Sequence, residues 1–359
     1  MTSYEAAGVD IQAGDLAVKL MKAHIAKARR PEVIGDIGGF AGLFDVSALK
    51  KFNRPLLATS TDGVGTKTEI ARLMGKYDTI GEDLVAMVVD DLVVCGAEPL
   101  FMTDYIAVGK VFPERIAEIV RGIAIGCQKA GTALIGGETA EHPGLLAEDE
   151  FDIAGAATGA VDFENLLGEH LVQDGDLIIA MPASGLHANG YSLVRHIIKT
   201  KNLSLDAYVA EFGMTLGEIL LTPTEIYSLD CLALHNGLKE NLHGFAHITG
   251  GGIASNTARV IPSNLTAIFD RTTWSLPHEM EYLGREGGVA QLDMEKTWNC
   301  GIGMVALVTP GAAGLALKSL AARGMRAWIC GKIEPKADAR TDTGTADLGA
   351  ALVGSYKAR

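Results

Sequence analysis

Glycine is concentrated in a few short segments of this chain, and those segments limit what the chain can fold into. They are residues 35–39, 62–67, 136–139, 184–190 and 249–252. The 43 glycines among 359 residues follow no fixed period, which excludes a collagen-like repeat. Because glycine has no Cβ, its backbone N–H group can approach a ligand closely. The segments therefore predict loops that bind a phosphorylated ligand.

Strand-like and helix-like patterns alternate through both halves of the chain. Apolar runs at 56–60 and 132–135 predict strands that end just before the glycine segments at 62 and 136. A polar stretch at 162–173 marks a boundary, and the length exceeds the roughly 250–300 residues at which a single core stops growing. We therefore predict an α/β (α+β) fold with two domains, residues 1–166 and 167–359.

Two helix starts carry proline signals. Pro113 opens a helix with an apolar stripe that ends at Gly131. Residues 222–225 combine a capping box with a proline and predict a second helix start.

Charge and cysteine content exclude several classes of partner. The net charge of −13 makes a nucleic acid or an anionic membrane surface an unfavourable partner. The longest apolar stretch, 84–95, is interrupted by Asp90 and Asp91 and is too short to cross a bilayer. Five widely spaced cysteines form neither a disulfide framework nor a zinc motif, and no signal-peptide pattern is present. We expect a cytoplasmic protein whose cysteines are not catalytic.

Common catalytic signatures are missing. The segment at 62–68 lacks the second glycine of a Walker A loop, and no dinucleotide fingerprint follows a strand. Neither a nucleophile elbow nor a zinc-protease motif occurs. These absences argue against P-loop, dehydrogenase, hydrolase and zincin activities.

Three carboxylates stand where a magnesium–nucleotide site could form. Asp62 and Glu138 each follow a predicted strand beside glycines, and Asp91 shares a helix face with apolar residues. We expect Asp91 to be buried, and Asp83 and Asp90 to lie on a more solvated face. The alternatives are a plain Asp-Gly turn at Asp62 and a structural ion pair at Asp91.

Two glycine segments in the second half precede helices and offer backbone donors to an anion. Ser184, His187 and Asn189 belong to one, and Thr249 begins the other. Ordinary helix capping would explain the polar residues but not the number of glycines. His243 and His247 are spaced i, i+4, a pattern that more often marks surface or core residues than ligands.

These motifs together resemble the aminoimidazole ribonucleotide synthetases, also called phosphoribosylformylglycinamidine cyclo-ligases, of the PurM family. The resemblance covers nearly the whole chain. It rests on ordered motifs at 4–11, 30–33, 38–40, 61–67, 91–99, 136–141, 187–192, 249–252 and 298–304.

The resemblance implies a two-domain enzyme that forms a homodimer, in which sheets of the two N-terminal domains complete a barrel. It implies that ATP phosphorylates the formyl amide oxygen of formylglycinamidine ribonucleotide. A nitrogen of the same substrate then attacks that carbon, phosphate leaves, and the imidazole ring of 5-aminoimidazole ribonucleotide closes. ATP and Mg²⁺ would be required, and no protein nucleophile is needed.

The resemblance also assigns residue roles. Asp62, Asp91 and Glu138 would hold Mg²⁺, and His187 and Lys67 would be catalytic. The expected ATP-binding residues are Lys22, Asp36, Gly38, Gly39, Asp62, Gly63, Gly65, Thr66, Lys67, Asp91 and Gly137. The expected substrate-binding residues are Ser184, His187, Asn189, Gly190, Thr249, Gly250 and Gly251. Asp90 and His142 depart from residues found in some family members, so either Asp90 or Asp91 could contact the metal.

Related activities compete with this interpretation. A selenophosphate synthetase would carry an early reactive cysteine, whereas the first cysteine here is Cys95. A hydrogenase-maturation relative would carry a C-terminal cysteine, and residues 356–359 contain none. Formylglycinamidine ribonucleotide synthetases have different sequence around His187 and Trp298 and use a glutaminase partner. An inactive nucleotide-binding regulator is disfavoured by the presence of Asp62, Lys67, Asp91 and Glu138.

Overall fold

Helices and strands alternate in both halves of the chain, as the sequence predicts. The computed structural model describes residues 11–35, 39–336 and 349–358. The described residues form two compact units. The first runs up to Leu92 and includes Ala97–Glu164, and the second comprises Val93–Gly96 and the residues from Asn165 onward.

The first unit is built on a four-stranded sheet. Its helices are α1 (Ile11–Ile25), α2 (Lys67–Met74), α3 (Ile80–Val93) and α4 (Pro113–Ala130). Its strands are β1 (Val33–Ile34), β2 (Leu43–Phe44), β3 (Pro55–Gly63), β4 (Glu98–Val108), β5 (Ala133–Glu141) and β6 (Phe151–Asp162). The sheet order is β3-β6-β4-β5, with β4 and β5 parallel and the other pairs antiparallel.

The two faces of this sheet differ. One face is covered by helices: Leu84 of α3 packs on Gly155 of β6, and Met102 of β4 is fully buried. The other face exposes Leu57 and Tyr105 (68% and 42% of their surface). Strands with one buried and one exposed face alternate apolar-in and polar-out, so an exposed leucine here is unusual.

Helix α4 follows its sequence signals closely. Pro113 is at the start and Gly131, with φ of 70°, ends the helix in the left-handed conformation. Its predicted stripe is buried, including Ile116, Ile119 and Cys127. Gly122 lets α4 approach α3 at Gly81, where a side chain on either residue would strike backbone atoms of the other helix.

The second unit contains a six-stranded sheet. Its helices are α5 (Tyr191–Lys201), α6 (Leu216–Leu220), α7 (Ser228–Leu238), α8 (Gly252–Ala258), α9 (His278–Gly287), α10 (Gln291–Thr297) and α11 (Ala313–Ala322). Its strands are β7 (Leu177–Pro182), β8 (Tyr208–Val209), β9 (Met214–Thr215), β10 (Leu242–His247), β11 (Leu265–Asp270), β12 (Ile302–Val308), β13 (Trp328–Pro335) and β14 (Ala350–Val353). The sheet order is β10-β12-β7-β13-β11-β14, and the only parallel pair is β11 with β14.

An apolar core lies on one face of the six-stranded sheet. Met181 and Phe245 from the strands pack with Cys231 of α7 and Leu320 of α11. His243 and His247 lie on β10 rather than on a helix, and His243 Nδ1 is 2.6 Å from Asp176 Oδ2 in a buried pair. Both histidines therefore belong to the interior.

Three predicted boundaries are wrong. The segment 222–225 is neither helix nor strand, and helix α7 begins at Ser228. Strand β3 continues to Gly63, so Asp62 lies near the end of this strand instead of after it. Strand β5 continues to Glu141, so Gly136, Gly137 and Glu138 lie within a strand instead of a loop after it. Pairing with the parallel strand β4 keeps this glycine segment extended. No helix among the described residues is long and apolar enough to cross a membrane.

Candidate active site

A cavity of about 540 Å³ opens in the first unit beside strand β5. Helix α1 contributes Lys22, residues 39–42 form a second wall, and Gly137 and Glu138 of β5 form a third. Lys22 is exposed, and its side chain forms neither a hydrogen bond nor an ion pair with any described residue. Four predicted nucleotide or metal residues, Lys22, Gly39, Gly137 and Glu138, thus line one cavity.

Glycine at two positions of this cavity is a steric requirement. A Cβ on Gly137 would overlap Asp104 Oδ1, and a Cβ on Gly42 would lie 2.5 Å from the carbonyl oxygen of Ile135. A Cβ on Gly136 would meet only Thr103 Cγ2, at an ordinary 3.7 Å. The cavity therefore depends on close approach at Gly137 and Gly42 but not at Gly136.

Asp104 is a cavity residue that the sequence reasoning missed. It lies on β4 directly opposite Gly137 of β5 and Gly155 of β6. Part of its side chain faces the cavity, but burial by the surrounding protein raises the pKa of Asp104 to about 7. The available signal was a single carboxylate in the middle of the apolar strand at 100–108.

Asp62 and Gly63 are the last residues of β3, and residues 64–66 join this strand to α2. Asp62 is exposed, and its Oδ1 accepts a hydrogen bond from the Gly63 N–H at 2.7 Å. Gly65 has φ of 66°, a conformation that favours glycine, and Thr66 precedes the first turn of α2. The Asp62 carboxylate is therefore exposed at the end of β3, just before the turn that leads into α2.

Lys67 points into the protein. Its Nζ lies 2.8 Å from Asp83 Oδ1, and both side chains are fully buried. Burial lowers the pKa of Lys67, and the nearby Asp83 carboxylate opposes that change. The expected contact between Lys67 and phosphate stays a prediction, since the ammonium group contacts Asp83.

The burial predicted for helix α3 is wrong at three positions. Asp91 is exposed, whereas Asp83 and Asp90 are fully buried. The prediction assumed one apolar face, but residues 81–90 are all buried because α3 is covered on every side. A helix surrounded in this way has no solvated face from which to read orientation. A buried ion pair at Asp91 is accordingly wrong as well.

The three predicted magnesium ligands do not form one group. No cluster of three His, Cys, Asp or Glu side chains that could hold a metal ion occurs in residues 11–35, 39–336 and 349–358. Asp62 and Glu138 lie on β3 and β5, the two edge strands of the sheet, with β6 and β4 between them. Three strand spacings separate them by about 14 Å. Within one chain these two carboxylates cannot share an ion.

The predicted loop at 184–190 follows strand β7 in the second unit. His187 is 1% exposed and has φ of 62°. Its Nε2 accepts a hydrogen bond from the Ser184 N–H at 3.2 Å, and its ring packs beside Tyr227 at a centroid distance of 6.2 Å. Ser184 Oγ donates to the Pro223 carbonyl oxygen at 2.7 Å. His187 therefore anchors this loop from inside.

The loops at 184–190 and 249–252 meet. A Cβ on Gly250 would lie 3.5 Å from Asn189 Oδ1, and Gly190, with φ of 75°, lies against the Trp298 ring. The two loops therefore bring the predicted substrate residues Asn189, Gly190, Thr249, Gly250 and Gly251 together.

Asn256 holds the second loop and was not predicted. Its Nδ2 donates to the carbonyl oxygens of Thr249, Gly250 and Gly252 at 3.2, 3.2 and 2.8 Å. The side chain is 5% exposed. An asparagine in the first turns of a helix after a glycine run was the signal available.

Two of the predicted ATP-binding residues fall outside the part of the chain that the structure describes. Asp36 and Gly38 are not among the described residues.

Burial raises the pKa of the Cys300 thiol to about 12, and it raises the pKa values of Cys127 and Cys330 as well. Thiols with raised pKa values are poor nucleophiles.

Comparison with protein families matches both halves of the chain. Residues 45–161 match the N-terminal domain of AIR synthase related proteins, and residues 173–342 match the C-terminal domain of the same family. The segment between the two matches includes Glu164 and Asn165, where the two compact units meet along the chain.

Solved structures with similar folds include three with low sequence identity. Thiamine-monophosphate kinase from Stenotrophomonas maltophilia K279a has a TM-score of 0.67 at 18% identity, covering 95% of this chain and 96% of that chain. The hydrogenase maturation protein HypE from E. coli has a TM-score of 0.64 at 16% identity, covering 96% and 95%. HypE in complex with ATP has a TM-score of 0.62 at 17% identity, covering 91% and 87%. These structures share the fold.

Curated relatives are much more similar. The phosphoribosylformylglycinamidine cyclo-ligase of Geobacillus kaustophilus (strain HTA426) is 48% identical over 334 residues, covering 92% of this chain and 95% of that protein. The enzyme of the same name from Shouchella clausii (strain KSM-K16) is 49% identical over 336 residues, covering 93% and 96%. With both domains matched at this identity, the chain belongs to the phosphoribosylformylglycinamidine cyclo-ligase family.

Proposed function

We propose that this protein is an ATP-dependent cyclo-ligase that converts formylglycinamidine ribonucleotide to 5-aminoimidazole ribonucleotide in purine biosynthesis, releasing ADP and phosphate. The observation that carries the proposal is 48% identity to a cyclo-ligase along 92% of the chain. The glycine-lined cavity and the paired glycine loops supply places for two phosphorylated substrates.

The nucleotide is assigned to the cavity of the first unit. Lys22 there has no protein partner among the described residues, so its ammonium group is available to a phosphate. The close packing at Gly137 and Gly42 leaves backbone next to the cavity with no intervening side chain. A volume of about 540 Å³ lies in the usual range for small-molecule sites.

The ribonucleotide substrate is assigned to the loops at 184–190 and 249–251 in the second unit. Asn189 and Thr249 contribute polar side chains, and the glycines contribute N–H groups. His187 keeps its predicted place in the site in a narrower role. Its Nε2 accepts a hydrogen bond from the Ser184 N–H, so the ring positions the loop.

The chemistry needs orientation more than a reactive side chain. Phosphorylation turns a formyl amide oxygen into a leaving group, and the attacking nitrogen is already part of the same substrate. Holding two reacting groups in place can supply about 7–11 kcal/mol of the barrier. The described cysteines with raised pKa values are accordingly not required as nucleophiles.

Magnesium is proposed to enter with the nucleotide and not in a ready protein cage. Mg²⁺ keeps several waters and takes one or two carboxylates with substrate phosphates. Glu138 lines the nucleotide cavity, whereas Asp62 lies on the opposite edge strand. The set of Asp62, Asp91 and Glu138 does not fit a single ion in one chain, and no reaction step is assigned to the metal.

Homodimer formation and a cytoplasmic location complete the proposal. The exposed sheet face with Leu57 and Tyr105 supports pairing with a second copy through the first unit. The cytoplasmic location remains the prediction made from the cysteine pattern.

A product assay tests the reaction. The purified protein is incubated with ATP, Mg²⁺ and formylglycinamidine ribonucleotide, and aminoimidazole formation is followed by its coupling to a diazo dye. We expect product without added glutamine. Glutamine-dependent turnover, or ATP hydrolysis with no aminoimidazole, would contradict the proposal.

A further inference from the structure

A second cavity, of about 460 Å³, lies wholly within the second unit and has no part in the proposed reaction site. It is bounded by the end of β7, residues 273–277, the start of β12 and the start of β13. Gly301, from the motif at 298–304 that supports the family resemblance, forms part of its wall. The proposed function assigns no role to that motif.

Two cations line this cavity with no counter-charge. Arg326 and Lys357 are exposed, and neither side chain forms a hydrogen bond or ion pair with any residue that the structure describes. No carboxylate is among the described residues that line the cavity. In a chain of net charge −13, a cavity lined only by positive charge is a local exception. A guanidinium and an ammonium group together suit a phosphate.

Part of the lining is aromatic and is held in place. Trp274 is buried, and its Nε1 donates to the Cys300 carbonyl oxygen at 2.9 Å. The Trp274 and Trp328 rings lie 6.5 Å apart and are tilted by 44°. The Lys357 N–H donates to the Trp274 carbonyl oxygen at 2.9 Å, which ties the cation to this wall. Indole surfaces bind flat rings at little cost in side-chain entropy.

The turn before β12 is fixed as well. The Gly301 N–H donates to Asn299 Oδ1 at 2.9 Å, and Gly301 has φ of 95°. A Cβ on Gly301 would lie 3.0 Å from the Pro277 ring, so this wall needs glycine. The cavity is therefore formed before any ligand arrives, which lowers the entropic cost of binding.

We propose that this cavity is a binding site for a phosphomonoester that carries a flat ring. Arg326 and Lys357 bind the phosphate, Ser275 offers a hydroxyl, and Trp274 and Trp328 contact the ring. The ligand is either a free mononucleotide or the ribonucleotide of the cyclo-ligase reaction, since both have this chemistry.

Tryptophan fluorescence reports binding in the second unit, and the variants described below assign the response to this cavity because Trp298 lies against Gly190 of the loop at 184–190. The chain has three tryptophans, Trp274, Trp298 and Trp328, and all belong to the second unit, so a nucleotide in the first-unit cavity has no indole nearby in its own unit. The probe is AMP, titrated without ATP or the cyclisation substrate. We expect a saturable change in emission that weakens with added salt.

Charge-removing variants locate the response. Arg326→Ala and Lys357→Ala should each raise the dissociation constant for AMP about tenfold or more. Arg326→Lys keeps the charge and should recover part of the affinity. The control is Lys318→Ala on α11, an exposed lysine that does not line the cavity, and it should bind AMP like the wild type. Urea midpoints confirm that the variants are folded.

Titration of formylglycinamidine ribonucleotide without ATP then separates the two sources of ligand. If the ligand of this cavity is the cyclisation substrate, Arg326→Ala raises the dissociation constant of that ribonucleotide by the same factor as for AMP. If the ligand is a free mononucleotide, Arg326→Ala weakens the binding of AMP and leaves the binding of the ribonucleotide unchanged. The proposal would be overturned if AMP caused no fluorescence change in the wild type. It would also be overturned if Lys318→Ala weakened AMP binding as much as Arg326→Ala does. Because binding is measured without turnover, a failed product assay would not affect this result.

Discussion

Lys67 and Asp83 form a buried ion pair in the first unit. Both side chains are fully buried, and their charged atoms lie 2.8 Å apart. Taking two charges out of water is costly, and the pair is tolerated because each neutralises the other. Lys67 is the first residue of α2 and Asp83 belongs to α3, so the pair links these two helices.

Removing one partner tests this structural role. Asp83→Asn leaves Lys67 buried without that carboxylate, and we expect a loss of about 3–5 kcal/mol in the free energy of unfolding. Urea denaturation of the metal-free and nucleotide-free protein measures it. Glu211→Gln, which removes one of the two exposed partners of Arg285, should leave the midpoint unchanged. Equal effects of the two variants would show that the Lys67 pair is not structural.

Asp104 makes stability depend on pH in the opposite sense to most carboxylates. The pKa of Asp104 is about 7 in the folded protein, compared with 3.8 for an aspartate in the unfolded chain. Between these values the unfolded chain has lost the proton and the folded chain keeps it, so this residue lowers stability as pH rises from about 4 to about 7. Above that range the penalty is constant.

Asp104→Asn removes the titrating group while keeping its shape. The variant should gain stability relative to wild type at about pH 8 and gain much less at about pH 5. Urea midpoints of the ligand-free proteins at both pH values measure the difference. A stability difference that does not change with pH would mean that Asp104 ionises normally in the folded state.

Strand β5 illustrates how an element can carry a site without a loop. Its glycine segment is held extended by β4, which places Gly137 against Asp104 and Glu138 beside the cavity. Successive residues of a strand point to opposite faces of the sheet. A side chain can therefore be accommodated at one position of β5 and excluded at the next.

Gly137→Ala and Gly136→Ala form a matched pair on this element. The Cβ of the first would overlap Asp104 Oδ1, and the Cβ of the second would make an ordinary contact at 3.7 Å. We expect Gly137→Ala to weaken ATP binding about tenfold or more, measured by calorimetry, and Gly136→Ala to bind ATP like the wild type. If Gly136→Ala weakened ATP binding and Gly137→Ala did not, the proposal that ATP binds in this cavity would be wrong.

The hydrophobic periodicity of the sequence predicted the positions of helices and strands better than it predicted which side chains are buried. The caps and stripe of α4 were readable because α4 has one buried face. Helix α3 is buried on all sides, so the same reasoning exchanged the burial of Asp90 and Asp91. The glycine segments marked both candidate sites. Asp104 and Asn256 were missed because strand register and a side chain that reaches three carbonyl groups appear only in three dimensions.

The exposed face of the four-stranded sheet predicts self-association. Leu57, 68% exposed on the edge strand β3, should lie in the interface of the proposed homodimer. Leu57→Asp should convert the dimer to a monomer at micromolar concentration, measured by light scattering. Leu145→Asp, at a leucine of similar exposure outside the sheet, is the control and should leave the mass unchanged. A wild-type monomer would contradict the dimer.

The first unit is proposed to bind ATP and the glycine loops of the second unit to bind the ribonucleotide. Two-substrate kinetics distinguish these two sites. KM values for ATP and for formylglycinamidine ribonucleotide are determined for wild type, Lys22→Ala and Asn256→Ala. Lys22→Ala should raise the KM for ATP about tenfold or more and leave the other KM nearly unchanged. Asn256→Ala, by loosening the loop at 249–252, should do the reverse. If Lys22→Ala instead raises the KM for the ribonucleotide alone, the assignment of the two substrates to the two units is wrong.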